Sequence, residues 1–115
     1  MTEVLLARAR IVPGQENALR EWFGELAQRE NEVIETLQHE GVYTETAFID
    51  DASEPSFLYV LMEAIDIGRA SAAGDAEVHR IDAEHHDVLE SALTGEWEPL
   101  ETIGHFTNPD LRQRR

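Results

Sequence analysis

The stretch FLYVLMEA, residues 57–64, is apolar at every position except Glu63. A strand with water on one face alternates apolar and polar side chains, so a run this continuous belongs in the middle of a sheet with cover on both faces. That demand is hard to meet in 115 residues, the size of one domain. The rest of the chain must supply a cover for each face, or leave one face for something else.

The other segments say what is on hand. EVLLARARIV (3–12) alternates and ends β-branched, which predicts a first strand. One of its faces carries Leu5, Ala7, Ala9 and Ile11, and the other Val4, Leu6, Arg8, Arg10 and Val12. Pro13-Gly14 breaks it. Residues 15–41 repeat Leu19, Trp22, Phe23, Leu26, Val33, Ile34 and Leu37 at three- and four-residue steps, the pattern of one long helix. Glu16 favours its first turn, Gly41 is a natural stop, and His39 fits the last turn. VYTETAFID (42–50) alternates again, and the turn 51–56 joins it to 57–64 in an expected hairpin. Residues 66–77 are rich in small side chains, with a short helix expected after Asp66. DAEHHDVLESAL (82–93) predicts a second main helix with Asp82 as N-cap, and TGE (94–96) its end. WEPLETIGHFTN (97–108) is expected as an edge strand, since Pro99 and Gly104 would not suit a central one.

The order β-α-β-β-α-β predicts an α+β, ferredoxin-like fold, a four-stranded antiparallel sheet with both helices on one face. The helices cover the Leu5/Ala7/Ala9/Ile11 face. The other face stays open in a single copy, and a second sheet laid against it would bury it, which makes a homodimer the expected assembly. Arg8 and Arg10 then need partners, for which Glu45, Glu63 and Glu101 are available on other strands. Residues 1–108 are expected as the single domain and 109–115 as a tail whose LRQRR end frays.

Charge narrows the environment and the partners. There are 24 acidic residues against 9 basic ones, a formal net charge of -15, and all nine basic residues are arginine. Such a surface repels itself in dilute salt and is relieved near 1 M, where the Debye length is about 3 Å. A high-salt cytoplasm is therefore the expected setting. The acidity argues against nucleic acid, which needs a basic patch. Met1-Thr-Glu-Val lacks the basic start of a secretory signal, and no apolar run approaches the roughly 20 residues of a membrane span. With no cysteine, disulfides and thiolate chemistry are excluded.

A strand ending in Pro13-Gly14, a long helix, EGVYTETAF, an aliphatic strand running into EAID, and a His-bearing second helix together resemble the dimeric α/β-barrel superfamily. Within it, the chain resembles a small family of bacterial and archaeal proteins of unassigned function. The resemblance implies two sheets packed face to face. Superfamily members include antibiotic-biosynthesis-type monooxygenases, haem-degrading enzymes, and dehalogenating or stress-response proteins, so fold alone does not pick the chemistry. In the small family a His in the second helix and the Glu of TET recur, which implies His85 and Glu45 here.

The candidate residues carry competing readings. His79, Asp82 and His86, at i, i+3 and i+7, would share one side of a helix as a metal-ligand set. An N-cap at Asp82 would undo that spacing, so no metal is expected. His85 has Ile81, Val88, Leu89 and Ala92 on its own stripe, pointing it at the sheet. There it is either a neutral structural imidazole, a base, or an axial ligand to a planar cofactor. Glu45 is either a desolvated general base or an ion-pair partner of Arg8 or Arg10. Arg8, Arg10, Tyr59 and Glu63 are further candidates for ligand binding, and Trp22 and Trp97 for core or interface anchors. No P-loop, dinucleotide fingerprint or Ser/His/Asp nucleophile motif is present, and no cofactor is expected. The expected function is a small-molecule-binding homodimeric barrel. The alternative is a cofactor-independent monooxygenase or isomerase using His85 and Glu45 as base and orienter, with haem or metal binding third.

Overall fold

Strand β1 (Glu3–Ile11) runs beside β3 (Phe57–Ala64), and the pairing sets which residues share a face. Leu5, Ala7 and Ala9 lie opposite Met62, Val60 and Leu58, all on the helix side; Arg8 and Arg10 lie opposite Tyr59 and Phe57 on the other. The computed structural model describes residues 2–112. Its sheet order is β2-β3-β1-β4, wholly antiparallel, with β2 spanning Val42–Asp50 and β4 spanning Leu93–Leu100. This is the expected ferredoxin-like sheet, with β3 inside it and β4 at an edge.

The single helix expected over 15–41 is two helices. α1 (Glu16–Gln28) and α2 (Glu30–Glu40) meet at Arg29, whose backbone turns to φ −112°, ψ 38°. Between Leu26 and Val33 there is no large apolar side chain to tie that turn to the core. Arg29 gathers carboxylates there instead: Glu25 at 2.9 Å, Glu32 at 2.8 Å and Glu84 at 2.7 Å. Gly41 ends α2 in the left-handed region at φ 72°, as a C-terminal glycine does.

α3 (Ile67–Asp75) starts at Asp66, whose carboxylate accepts the Arg69 N–H at 2.9 Å. α4 spans Arg80–Ala92, earlier than the expected 82–93, and its N-cap is His79. Asp82 is therefore not the N-cap but the third helical residue, where its carboxylate accepts the His79 N–H at 3.1 Å. Buried Ile81 explains the early start, because only a helix already formed at that point aims it into the core.

The last strand is also displaced. Leu93 and Thr94 pair with Ile11 and Arg10, so β4 begins directly after α4, and TGE lies within it. The Ala92 carbonyl accepts the Val12 N–H at 2.8 Å, which ties the end of α4 to the end of β1 and leaves no room for a linker. Gly95, at φ 78°, sits where the register shifts between Arg8 and Arg10. Residues 101–108, expected as strand, pair with nothing in the sheet. A short helix, α5 (Pro109–Arg112), follows within the expected tail, whose last three residues lie outside the described ones.

Both core clusters lie on the helix face. Ile11, Leu19, Leu58 and Ala92 close one with Phe23, Val88 and Leu89 around them; Val42, Ala64 and Ala70 close the other with Leu37 and Ile67. Each fully buried Leu or Ile contributes roughly 1.5–3 kcal/mol of transfer free energy. Among the described residues, neither core cluster extends to the opposite face. Phe48 is 53% exposed and Leu100 41%, while in residues 101–108 Phe106 is 95% exposed.

Candidate functional site

α4 lies across α1 so that His85 meets two aromatic rings. The Trp22 indole N–H donates to His85 Nδ1 at 2.8 Å. The two rings are stacked with centroids 6.1 Å apart, and Phe23 meets His85 edge-on at 5.9 Å. The aromatic partners Trp22 and Phe23 of His85 thus lie on α1, where the stripe of apolar neighbours had pointed it at the sheet. Burial, and then the neighbouring His86, lower its pKa to about 4 against a smaller opposite pull from Asp82. The ring is uncharged at neutral pH.

A carboxyl cluster forms where α2, α4 and β2 converge. The Thr36 hydroxyl on α2 donates to Asp82 Oδ1 at 2.6 Å and lies 3.4 Å from Glu40 Oε2. Burial raises the Glu40 pKa to about 7, with Glu45 and Asp82 adding repulsion. Burial also raises the Glu45 carboxyl, and Asp82 again adds to it. Glu45 nevertheless keeps much of its surface open to solvent. His79 and His39 meet edge-on at 5.6 Å beside this cluster, and His86 bonds Glu77 at 2.6 Å.

The sequence candidates thus separate onto two faces. Glu45 lies on the helix face, opposite Met62, in the same electrostatic neighbourhood as Asp82. His85 shares that neighbourhood through Asp82, with no hydrogen bond joining it to Glu45 among the described residues. Arg8, Arg10, Tyr59 and Glu63 are on the open face. The expected pairing of Glu45 with Arg8 or Arg10 is therefore overturned, since the sheet lies between them. Arg8 instead takes Glu98 at 2.8 Å, reaches the Tyr59 hydroxyl at 3.3 Å and lies 4.1 Å over the Phe57 ring. Glu63 is 6% exposed and accepts the Thr2 hydroxyl at 2.6 Å, with His105 at 3.6 Å. Trp22 is buried, whereas Trp97 is exposed.

Two hollows flank these groups. One, of about 330 Å³, lies on the open face among Arg8, Arg10, Phe57, Thr94 and Glu98. The other, of about 460 Å³, runs between α1 and α4 past Trp22, Glu25, Asp87 and Ser91. Neither is lined by His85 or Glu45. Among the described residues, no group of three His, Asp or Glu side chains is arranged to hold a metal ion. His79, Asp82 and His86 do not converge: His86 is engaged by Glu77, and His79 lies 3.7 Å from Asp82.

Sequence reasoning missed Trp22 as the partner of His85, and Thr36 and Glu40 as partners of Asp82. Trp22 and His85 are 63 positions apart, and Thr36 and Asp82 are 46 apart. The only local signal was the i, i+4 spacing of Thr36 and Glu40 on one helix face.

Solved structures share this architecture. L-rhamnose mutarotase from Formosa agariphila superposes with a TM-score of 0.61 at 20% identity, over 91% of this chain and 99% of that one. SnoaB, a cofactor-independent oxygenase from Streptomyces nogalater, gives 0.59 at 14% identity, over 94% and 100%. A putative antibiotic biosynthesis monooxygenase from Bacteroides thetaiotaomicron gives 0.58 at 16%, over 93% and 94%. At these identities the likeness establishes the α+β, ferredoxin-like fold of the chain and nothing about chemistry. No curated protein matches the sequence. The family, however, is shown by the sequence itself: the chain belongs to the family of unknown function DUF6176, whose model matches residues 2–112.

Proposed function

We propose that this chain binds a small, uncharged or cationic polar molecule where α4 and α2 meet β2, and catalyses a proton transfer on it with His85 and Glu45. One observation carries the reading: an imidazole held neutral and two carboxyl groups shifted upward, Glu40 to about 7 and Glu45 by burial, share Asp82 as a charged neighbour. Groups poised near the working pH are what acid–base catalysis requires. Three carboxyl groups, Glu40, Glu45 and Asp82, would repel an anionic ligand. Among proteins of this fold, an L-rhamnose mutarotase offers the matching reaction class, acid–base chemistry at a neutral sugar. The test is anomeric exchange of L-rhamnose and a panel of other reducing sugars, followed by NMR. Acceleration over buffer that is lost in both His85→Gln and Glu45→Gln supports the proposal; buffer rates across the panel would sink it.

A second reading, binding without chemistry, is favoured by the two hollows, since neither is lined by His85 or Glu45. Saturable binding of a ligand with no turnover would select it.

The working unit in this proposal is residues 1–108, paired as a homodimer in a high-salt cytoplasm. The uncovered Phe48, Leu61 and Leu100 support pairing through the open face, with Arg8, Arg10 and Tyr59 acting at that interface. Gel filtration in 2 M KCl should give a dimer that Leu61→Arg converts to monomer. The net charge of -15 supports the salt requirement. Unfolding midpoints should rise with KCl, and a midpoint independent of salt would rule the requirement out.

A further inference from the structure

An indole N–H can only donate a hydrogen bond, so the 2.8 Å contact from Trp22 requires a bare lone pair on His85 Nδ1. Because the ring is uncharged at neutral pH, its one proton is then on Nε2. That nitrogen has no partner among the described side chains. The only buried side-chain nitrogen or oxygen without a partner among them is His79 Nδ1, so His85 Nε2 is open to solvent or ligand. The ring is also held in place: Trp22 stacks on it at 28° between planes, and Phe23 meets it edge-on at 89°.

We infer that Trp22 is a positioning residue that locks His85 as an Nε2–H hydrogen-bond donor, so that the site recognises an electron-rich oxygen of its ligand and leaves proton abstraction to the Glu45 and Glu40 carboxyl groups. The oxygen is a carbonyl, ring-ether or hydroxyl oxygen, any of which accepts such a bond. His85 does not surrender its proton, because that would leave an imidazolate; it polarises the oxygen as a neutral imidazole does in other proton-transfer sites. The reverse role would break the lock. For Nε2 to act as a base, or to ligate a metal or haem iron, the ring proton must sit on Nδ1, which sets two N–H groups face to face. A ligating His instead needs an acceptor beyond its second nitrogen. The assignment of the carboxyl groups rests on the proton-transfer reading above, whereas the lock does not.

The experiment is a long-range 1H–15N NMR correlation on the uniformly 15N-labelled chain, with the His85 signals identified by their loss in His85→Gln. At pH 7 the ring should carry a proton on Nε2 alone. A proton on Nδ1, a mixture of both forms, or a doubly protonated ring overturns the inference. Trp22→Phe keeps an aromatic ring but removes the donor, and should raise the Nδ1–H form several-fold; a folded variant with an unchanged tautomer overturns the role of Trp22. If that variant does not fold, the wild-type spectrum decides alone. Absence of sugar turnover would sink the proton-transfer reading without touching the tautomer. A wrong tautomer would remove the lock while leaving any turnover in place.

Discussion

Leu58 and Leu61 stand three residues apart in β3 and face opposite ways; the first is 1% exposed and the second 38%. The two residues have the same chemistry and strand, so the difference comes entirely from what lies over each face. On one side α1 and α4 close over Leu58, with Leu19 and Ala92 against it. On the other, Leu61 stands with exposed Phe48 and the Arg8–Glu98 pair, uncovered. The ionisable groups divide in the same way: the helix face gathers the Glu40 and Glu45 carboxyl groups, both shifted upward by burial, and a neutral imidazole, the open face the Arg8–Glu98 ion pair and aromatics. A burial demand written into a strand is thus met on one face by the same chain and left unmet on the other.

The comparison can be broken most directly at the two leucines. Leu58→Ala should lower stability by about 2–5 kcal/mol, the range for emptying a filled core site, and Leu61→Ala in dilute solution by less than about 1 kcal/mol. Chemical denaturation measures both. Equal losses would mean that the open face is as closed as the core. A Leu61→Ala loss that grows with protein concentration would show a second copy covering it.

His85 sharpens the electrostatic half. Its folded pKa of about 4 lies below the ordinary 6.5, so the unfolded chain takes up the proton more readily, and stability is lost as pH falls from about 6.5 toward 4. His85→Gln should remove roughly 2 kcal/mol of that acid sensitivity, read from unfolding free energies at pH 7 and 4.5.

Glu40 works with the opposite sign. Its folded pKa is raised to about 7 from 4.5, so the folded state binds the extra proton, and this group destabilises the fold as pH rises through that window. Glu40→Gln should stabilise at pH 8 by roughly 1 kcal/mol, discounted because the side chain is partly open to water, and change little at pH 4.5. A stabilisation of the same size at both pH values would show that the gain is not electrostatic.

The strands were legible wherever their periodicity was unbroken. The faces of β1 follow from alternation alone, and Gly41 ends its helix because glycine takes the left-handed turn without strain. The break at Arg29 was less visible. A run of helix formers there looks continuous, and only the missing contact with the core separates the two halves. Asp82 has good N-cap chemistry, yet it caps from inside the helix because burying Ile81 requires the turn to have begun. The last strand was displaced for a related reason: Leu93 packs beside the core and pairs with Ile11, which outweighs the turn signal of Thr94 and Gly95.

Within the site, the sequence singled out His85 and Glu45 but assigned their neighbours incorrectly or not at all. Periodicity is local and can be read from a few residues. It set the number of main elements, their order, and the two-faced character of β1 and β3. The choice of partner is not local. Arg8 meets Glu98 rather than Glu45, and His85 meets Trp22, because strand order, register and helix crossing bring those groups together across 90 and 63 positions of chain. Packing of the whole domain fixes those contacts, so only the tertiary structure decided which carboxyl groups gather around Thr36 and which nitrogen of His85 receives the Trp22 N–H.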